Sequence, residues 1–222
     1  MKTRAELKAM AKEQIKGNIG MLFLITVIIA VISSLATAIL SLVPVVGSLA
    51  AVVIVTPAFA ISILRIYLNL IKGKKPEVAD SFSGFNDFFS AFKVTLLVGV
   101  FTFLWSLLFY IPGIIKGISY SQAMYIVAEN PGMGAREAIN RSKAMMHGHK
   151  MDYFVLGLSF IGWALLGTIT FGIAFIWVVP YMMATQANFY NELKPVEVVE
   201  GVAEEVKEEV KEEVVPEEPT VE

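Results

Sequence analysis

One lysine stands inside an apolar stretch that otherwise has the character of a membrane span. Ser119 and Tyr120 follow Lys116 at helical spacings, so a helix carries a partly polar stripe there. A charge inside a membrane segment is costly and is by default a hypothesis for a functional site. The site would bind an anionic headgroup or solute, with Gln122 and Gln186 as further polar groups. The alternative is that Lys116 only extends to the headgroup region.

A second group, His147, His149 and Asp152, has the spacing of a partial metal site. Two histidines two residues apart and a nearby carboxylate can bind zinc. The chain has only two histidines and no cysteine, so it offers no further ligand of the types that zinc prefers. The histidines also fit a basic helix end, where cations are favoured. We therefore expect no metal and no other cofactor.

The sequence lacks the short motifs that indicate common enzymes. It contains no H-E-x-x-H, no G-x-S-x-G and no phosphate-binding loop, and its apolar stretches have no interior Asp or Glu. Proton-coupled carriers commonly use membrane carboxylates, so this composition argues against such a pump. We expect a protein that is not an enzyme. An intramembrane enzyme with an unrecognised site is the weaker alternative.

The composition explains why these polar residues stand in apolar surroundings. Of 222 residues, 56% are hydrophobic and 17% are charged, whereas soluble domains carry about 25% charged residues. A helix needs about 20 residues to cross the bilayer, and the first stretch is too long for a signal peptide. Six apolar stretches can be marked, of which the fourth and fifth are short: 19–43, 48–70, 94–111, 114–128, 154–169 and 172–190.

The links between the stretches predict the topology. Pro and Gly mark tight turns at 44–47, at 112–113 and around 170–172. The longer connections carry Lys and Arg, which stay in the cytoplasm. The sequence therefore predicts an all-α membrane protein of six transmembrane helices in three hairpins, with both termini cytoplasmic. The rival is a five-span arrangement in which 114–128 is re-entrant.

Two segments on the predicted cytoplasmic side have the pattern of amphipathic helices. In 81–92, five phenylalanines share one helical face, which suits the membrane interface or the floor of the bundle. In 134–148, an apolar face stands opposite basic residues that can attract anionic phospholipid. We expect Arg65, near the cytoplasmic end of the second stretch, to extend to the headgroups. The predicted basic, lipid-facing residues are Arg136, Arg141, Lys143 and Lys150.

Three stretches carry a family resemblance. They are IPGIIKGISYSQAMYIVAENP (111–131), EAINRSKAMMHGHKMDYFVLGLSFIGW (137–163) and PYMMATQANFY (180–190). Together they resemble a family of bacterial integral membrane proteins, domain of unknown function 975, which is common in Gram-positive bacteria. The family is more distantly similar to the membrane portion of some glycerophosphodiester phosphodiesterases, whose catalytic portion has no counterpart here. The family motif is matched, without known roles, by Lys116, Tyr120, Glu129, Asn130 and Pro131.

The chain divides into a membrane domain, 1–193, and an acidic tail, 194–222. From residue 195 onward it has eleven acidic residues and two lysines, which predicts a disordered cytoplasmic tail. The resemblance implies a multi-pass protein of the bacterial cytoplasmic membrane. We expect an accessory or scaffold protein whose partners are the bilayer, anionic phospholipid and a membrane or cytoplasmic protein, with no nucleic acid. The alternative is a transporter or lipid-handling protein with an anion site near Lys116.

Overall fold

A computed structural model describes residues 2–42, 55–108 and 110–194 of the chain. Within these ranges the fold is all-helical and has no β-strand, as predicted. One 3₁₀ helix, Val78–Asp87, lies between the third and fourth α-helices. The α-helices are α1 (Arg4–Ile15), α2 (Ile19–Leu40), α3 (Thr56–Ile71), α4 (Phe88–Leu108), α5 (Tyr110–Tyr120), α6 (Ala123–Glu129), α7 (Ala135–Met145), α8 (Lys150–Leu158), α9 (Ile161–Ile169) and α10 (Phe175–Leu193).

Three helical segments in the described part of the chain are long and apolar enough to cross a membrane. They are α2, the 3₁₀ helix together with α4 (Val78–Leu107), and α8 together with α9 (Lys150–Ile169). These segments indicate a membrane-associated protein. Only 11–17% of the residues in the most apolar part of each segment are buried inside the protein, so most of these residues keep exposed surface. Helix α3 is a shorter apolar helix, and the predicted link at 44–47 lies outside the described residues.

The predicted turn at 112–113 is wrong, because both residues lie within α5. Pro112 is in the first turn of α5, where a missing N–H costs little. Gly113 instead allows close packing, since a Cβ there would come within 2.1 Å of the Ser106 hydroxyl oxygen on α4. Gly117 likewise faces Thr102, so α4 and α5 run antiparallel.

The fourth and fifth predicted stretches are each divided. A turn at residues 121–122 separates α5 from α6, and another at 159–160 separates α8 from α9. The predicted link around 170–172 is confirmed, because residues 170–174 form the turn between α9 and α10. Tyr153 packs on Phe189 and Trp163 on Tyr181, with ring centroids 5.3 and 5.9 Å apart. These contacts show that α8 and α9 run antiparallel to α10.

The aromatic segment at 81–92 does not form one α-helix. It is a 3₁₀ helix up to Asp87, and α4 begins only at Phe88. Gly84 sets this geometry, because its N–H donates to the Ser62 hydroxyl of α3 at 2.8 Å and a Cβ would come within 2.0 Å of the Ala58 carbonyl oxygen. Phe82 and Phe85 pack on Phe59 of α3 while remaining 46% exposed, so they cap the bundle and also leave apolar surface uncovered.

Helix α1 is an amphipathic lead-in that packs on α10. Thr3 and Glu6 form a capping box at its beginning. Leu7, Ala11 and Ile15, spaced at one turn each, are almost completely buried. Burial of this one face explains why a short, charged helix is held in place.

Candidate functional site

Polar contacts concentrate where the ends of the helices and the 3₁₀ helix meet, and we call this region the polar floor. Its contacts join residues that are far apart in the chain. They therefore hold different helices together and do not only link successive turns of one helix. The polar floor comprises Gln14, Arg65, Lys72, Asp87, Ser119, Gln122, Glu129, Ser142, Asn188, Tyr190 and Lys194.

Arg65 is the centre of the first set of contacts. Its Nε donates to the Ala128 carbonyl oxygen at 2.9 Å and its Nη1 to the Ser83 carbonyl oxygen at 2.6 Å, while Nη2 pairs with Asp87. The side chains of Arg65 and Asp87 are only 17% and 14% exposed. A planar guanidinium can serve three acceptors at once. The predicted extension of Arg65 to the headgroups is therefore wrong, and the residue instead joins α3, α6 and the 3₁₀ helix.

Glu129 is the centre of the second set, at the end of α6. Its carboxylate accepts hydrogen bonds from Lys72 Nζ at 2.7 Å, Lys194 Nζ at 2.5 Å and the Tyr190 hydroxyl at 3.0 Å. Burial by itself raises the pKa of Glu129, but the two lysines outweigh it and hold that pKa below its ordinary value. The ionised carboxylate thus ties together the ends of α3, α6 and α10.

The break between α5 and α6 is stabilised by buried hydroxyl and amide groups. The Gln122 N–H donates to the Ser142 hydroxyl oxygen at 3.2 Å, and that hydroxyl donates to the Ser119 carbonyl oxygen at 2.8 Å. Gln122 Nε2 also donates to Ser121 Oγ at 2.8 Å. Ser142 therefore links α7 to the backbone groups that the break leaves without helical partners. Two predicted ligand residues, Ser119 and Gln122, belong to this arrangement.

Lys116 lies one turn before Ser119 on α5, but it faces α4 and makes none of the contacts of the polar floor. Its Nζ is 4.5 Å from the centre of the Trp105 ring on α4, a cation–π geometry. Tyr120, one turn further along α5, is buried and packs near Phe101. Gln186 lies half-buried on α10. No hydrogen bond joins Lys116 or Gln186 to another of the five predicted ligand residues, all of which are described.

The predicted basic residues lie on or beside α7. This helix buries Ala135, Ala138, Ile139 and Ser142 and leaves Arg136, Arg141 and Lys143 exposed. Arg141 pairs with Glu137 at 2.9 Å, and Lys143 lies 5.5 Å from the centre of the Tyr120 ring. Lys150, half-buried, begins α8. The amphipathic helix predicted in this segment is therefore present.

Of the predicted group His147, His149 and Asp152, the structure pairs His149 with Asp152. His149 Nδ1 lies 3.4 Å from Asp152 Oδ2 on the first turn of α8. In residues 2–42, 55–108 and 110–194, no three His, Asp or Glu side chains are grouped closely enough to hold a metal ion.

The site residues predicted from the sequence do not include the two central carboxylates of the polar floor, Asp87 and Glu129. Asp87 lies within the aromatic segment 81–92 without being one of its phenylalanines, and Glu129 matches the family motif without a known role. A signal existed for both: each is a lone carboxylate next to an apolar stretch, on the side that carries the lysines and arginines.

Comparison with known proteins adds one finding. The family described as Protein of unknown function (DUF975) matches residues 1–119 and 107–197. The chain belongs to this family. The matched residues include every helix described above, and the DUF975 description states no activity. No curated protein and no solved structure matches the chain. The more distant similarity to glycerophosphodiester phosphodiesterases stays a prediction.

Proposed function

We propose that this protein is a non-enzymatic, multi-pass scaffold of the bacterial cytoplasmic membrane that binds anionic phospholipid at its cytoplasmic face. The observation that carries the proposal is the meeting of distant chain segments on one side of the molecule. This arrangement supports a particular topology, and the exposed basic groups on the same side support the lipid partner.

The contacts of the polar floor, together with an ion pair between α1 and α10, favour an even number of membrane crossings between one contact residue and the next. Lys2 bonds to Glu192 at 2.5 Å, and Glu129 bonds to both Lys72 and Lys194. Residues 2, 72, 129 and 192 are therefore on one side. Two of the six predicted stretches lie in each interval between them, which supports three hairpins. A five-span arrangement with 114–128 re-entrant is disfavoured, because it places residues 72 and 129 on opposite sides of the membrane.

The basic residues on this side of the molecule favour a cytoplasmic location for it and attraction to an anionic lipid surface. Arg136 and Lys143 are exposed on α7 beside the polar floor, and short segments rich in Lys and Arg remain cytoplasmic. Each such cation contributes about 1 kcal/mol of attraction to anionic lipid near the surface. The exposed rings of Phe82, Phe85 and Phe89 on the same side add apolar anchors. A protein partner would bind the same face.

A transporter or lipid-handling protein with an anion site near Lys116 is the second candidate. It keeps one supporting observation, a cation inside an apolar hairpin. It has less support than the scaffold, because the Lys116 ammonium faces Trp105 while Ser119 and Gln122 bond around Ser142.

Topology can be tested by cysteine labelling, since the chain has no cysteine of its own. Phe171, 98% exposed in the α9–α10 turn, and Lys143, exposed on α7, are suitable positions. We expect Phe171→Cys to react with an impermeant maleimide in intact cells and Lys143→Cys to react only after permeabilisation. The cysteine-free parent is the control. Labelling of both positions in intact cells, or the reverse pattern, contradicts the proposed orientation.

Lipid preference is tested with the double variant Arg136→Ala, Lys143→Ala. Purified protein is titrated with phosphatidylglycerol and, separately, phosphatidylcholine, and bound lipid is counted by native mass spectrometry. Loss of two cations should weaken phosphatidylglycerol binding by up to about 30-fold, from about 1 kcal/mol each. Asn140→Ala is the control, because it removes an exposed neutral side chain that accepts a hydrogen bond from Lys143 and leaves both cations in place. Equal binding of both lipids by the parent protein contradicts the proposal.

A further inference from the structure

An apolar groove lies between the beginning of α2 and the α9–α10 hairpin. Its volume is about 610 Å³, within the range of about 300–1,000 Å³ that is usual for small-ligand sites. Its walls are almost wholly apolar and include Ile19, Trp163, Leu166, Ile173 and Trp177. The ring of Trp177 is 58% exposed and that of Trp163 43%, so the groove is open on its outer side.

One cation, Lys12 on α1, is among the residues that line the groove. It lies two residues before Gln14 of the polar floor, which places the charged end of the groove toward the floor. Lys12 is exposed and has no hydrogen-bond or ion-pair partner among the residues that the structure describes. Its neighbours on α1 are engaged elsewhere: Lys8 bonds to the Ser159 carbonyl oxygen at 3.1 Å and faces Phe160, and Lys16 lies 4.0 Å from Glu13. The groove therefore has one charged end and one apolar end.

The direction of the groove matches that of a lipid in a bilayer. Its charged end is where the amphipathic α1 gives way to the apolar α2, which is the position of a membrane interface. The wall formed by α10 begins at Tyr181 and continues to Ile173 in the α9–α10 turn. These two residues are eight positions apart, which corresponds to about 12 Å along a helix. A phosphate group fits the charged end of the groove, and an acyl chain fits its apolar end.

We propose that this groove holds one phospholipid molecule, with its phosphate on Lys12 and an acyl chain against Ile19, Leu166 and Trp177. This inference rests on the proposed function and gives it a specific site. It differs from the α7 surface in kind, because the groove binds a single lipid by shape and charge, whereas α7 attracts anionic lipid by charge alone.

The test is a native mass spectrometry titration of the full chain with phosphatidylglycerol, comparing three variants with the parent protein. Lys12→Ala removes the cation and should weaken binding of the first lipid about fivefold, the effect of one lysine at a membrane surface. Ala174→Phe, which places a ring in the groove, should abolish the tightly bound lipid. Lys16→Ala, one turn from Lys12 and outside the groove, should weaken binding of the first lipid clearly less than Lys12→Ala does.

A second measurement does not depend on groove variants folding correctly. The chain has three tryptophans, of which Trp163 and Trp177 line the groove and Trp105 faces Lys116. In a Trp105→Phe background, one equivalent of phosphatidylglycerol with brominated acyl chains, added in detergent, should quench most of the remaining fluorescence. The matched background that keeps only Trp105 should be quenched much less.

The outcomes separate the groove from the broader proposal. One bound lipid that is lost in the α7 double variant but unchanged in Lys12→Ala and Ala174→Phe overturns the groove while the scaffold function stands. Equal weakening by Lys12→Ala and Lys16→Ala also overturns it, because that is a general surface charge effect. A dimer without lipid would assign the groove to a second copy of the chain. No specific lipid in the parent protein overturns both proposals.

Discussion

Arg65 and Lys116 are the two cations within the predicted apolar stretches, and the structure treats them differently. Arg65 has two backbone carbonyls and a carboxylate around its guanidinium and is nearly buried. Lys116 has the face of one partly exposed tryptophan. A cation in an apolar stretch therefore has two meanings, a structural clamp or a surface anchor. The geometry of its partners separates them.

The contrast between the two cations extends to two regions of the molecule, the polar floor and the opposite, apolar ends of the long helices. The polar floor joins six α-helices and the 3₁₀ helix through charged, amide and hydroxyl groups. The opposite ends of the spans expose apolar side chains, among them Ile39 at 65%, Ile169 at 73% and Phe171 at 98%. Lipid can cover such residues, so that end requires few internal contacts. Substitutions in the floor should consequently cost much more stability than those near Lys116.

The largest expected effect is that of Arg65→Met. Removing one partner of a buried ion pair leaves Asp87 uncompensated and costs about 3–5 kcal/mol. The variant should unfold at a clearly lower temperature in mild detergent, as followed by circular dichroism. Arg65→Lys keeps the charge but cannot reproduce the planar fork, so it should recover only part of the loss. Parent-like melting of Arg65→Met would show that the clamp contributes little.

The second expected effect is that of Glu129→Gln. This change keeps the size of the side chain but removes the charge that two lysines face. The lost charged hydrogen bonds should cost about 1–2 kcal/mol, after a discount for partial exposure. Glu137→Gln is a matched control, because that carboxylate is 55% exposed on α7 and, among the described residues, pairs with Arg141 alone. Equal losses in both variants would argue against a special role for Glu129.

The pH dependence of stability should reveal the same carboxylate. Because the pKa of Glu129 in the folded protein lies below its ordinary value of 4.5, its contribution is fully present above that pH. As the pH falls through the folded-state pKa, both states become protonated and the contribution is lost. The difference in melting temperature between parent and Glu129→Gln should therefore shrink below about pH 4.5. A constant difference down to about pH 3 would contradict this assignment.

The features that could be predicted from the sequence are those that depend on hydropathy and charge. The all-helical class, the family, the α9–α10 turn and the basic face of α7 depend on local patterns of apolar and charged residues. The Arg65 clamp could not be predicted, because its acceptors Asp87 and Ala128 lie 22 and 63 residues away in the chain. The turn at 121–122 was missed for a similar reason: its stability depends on Ser142 of α7, 20 residues beyond Gln122.

The smallest expected effect is that of Lys116→Ala, and it sharpens the comparison of the two cations. A cation–π contact at a partly exposed position contributes about 0.5–1 kcal/mol, so the loss should be small beside that of Arg65→Met. Lys116→Arg should lose less stability than Lys116→Ala, because an arginine can also place its cation over the ring of Trp105.

A double-mutant cycle of Lys116→Ala with Trp105→Leu isolates that contact, with an expected coupling of about 0.5–1 kcal/mol in thermal or denaturant unfolding. The anion-site alternative makes a different prediction for the same variants, since loss of a ligand contact should leave the coupling to Trp105 small. A retained anion or lipid that disappears in Lys116→Ala, with melting unchanged, would make Lys116 a binding residue. A coupling in the expected range with unchanged lipid retention would make it an anchor, which separates it from the clamp at Arg65.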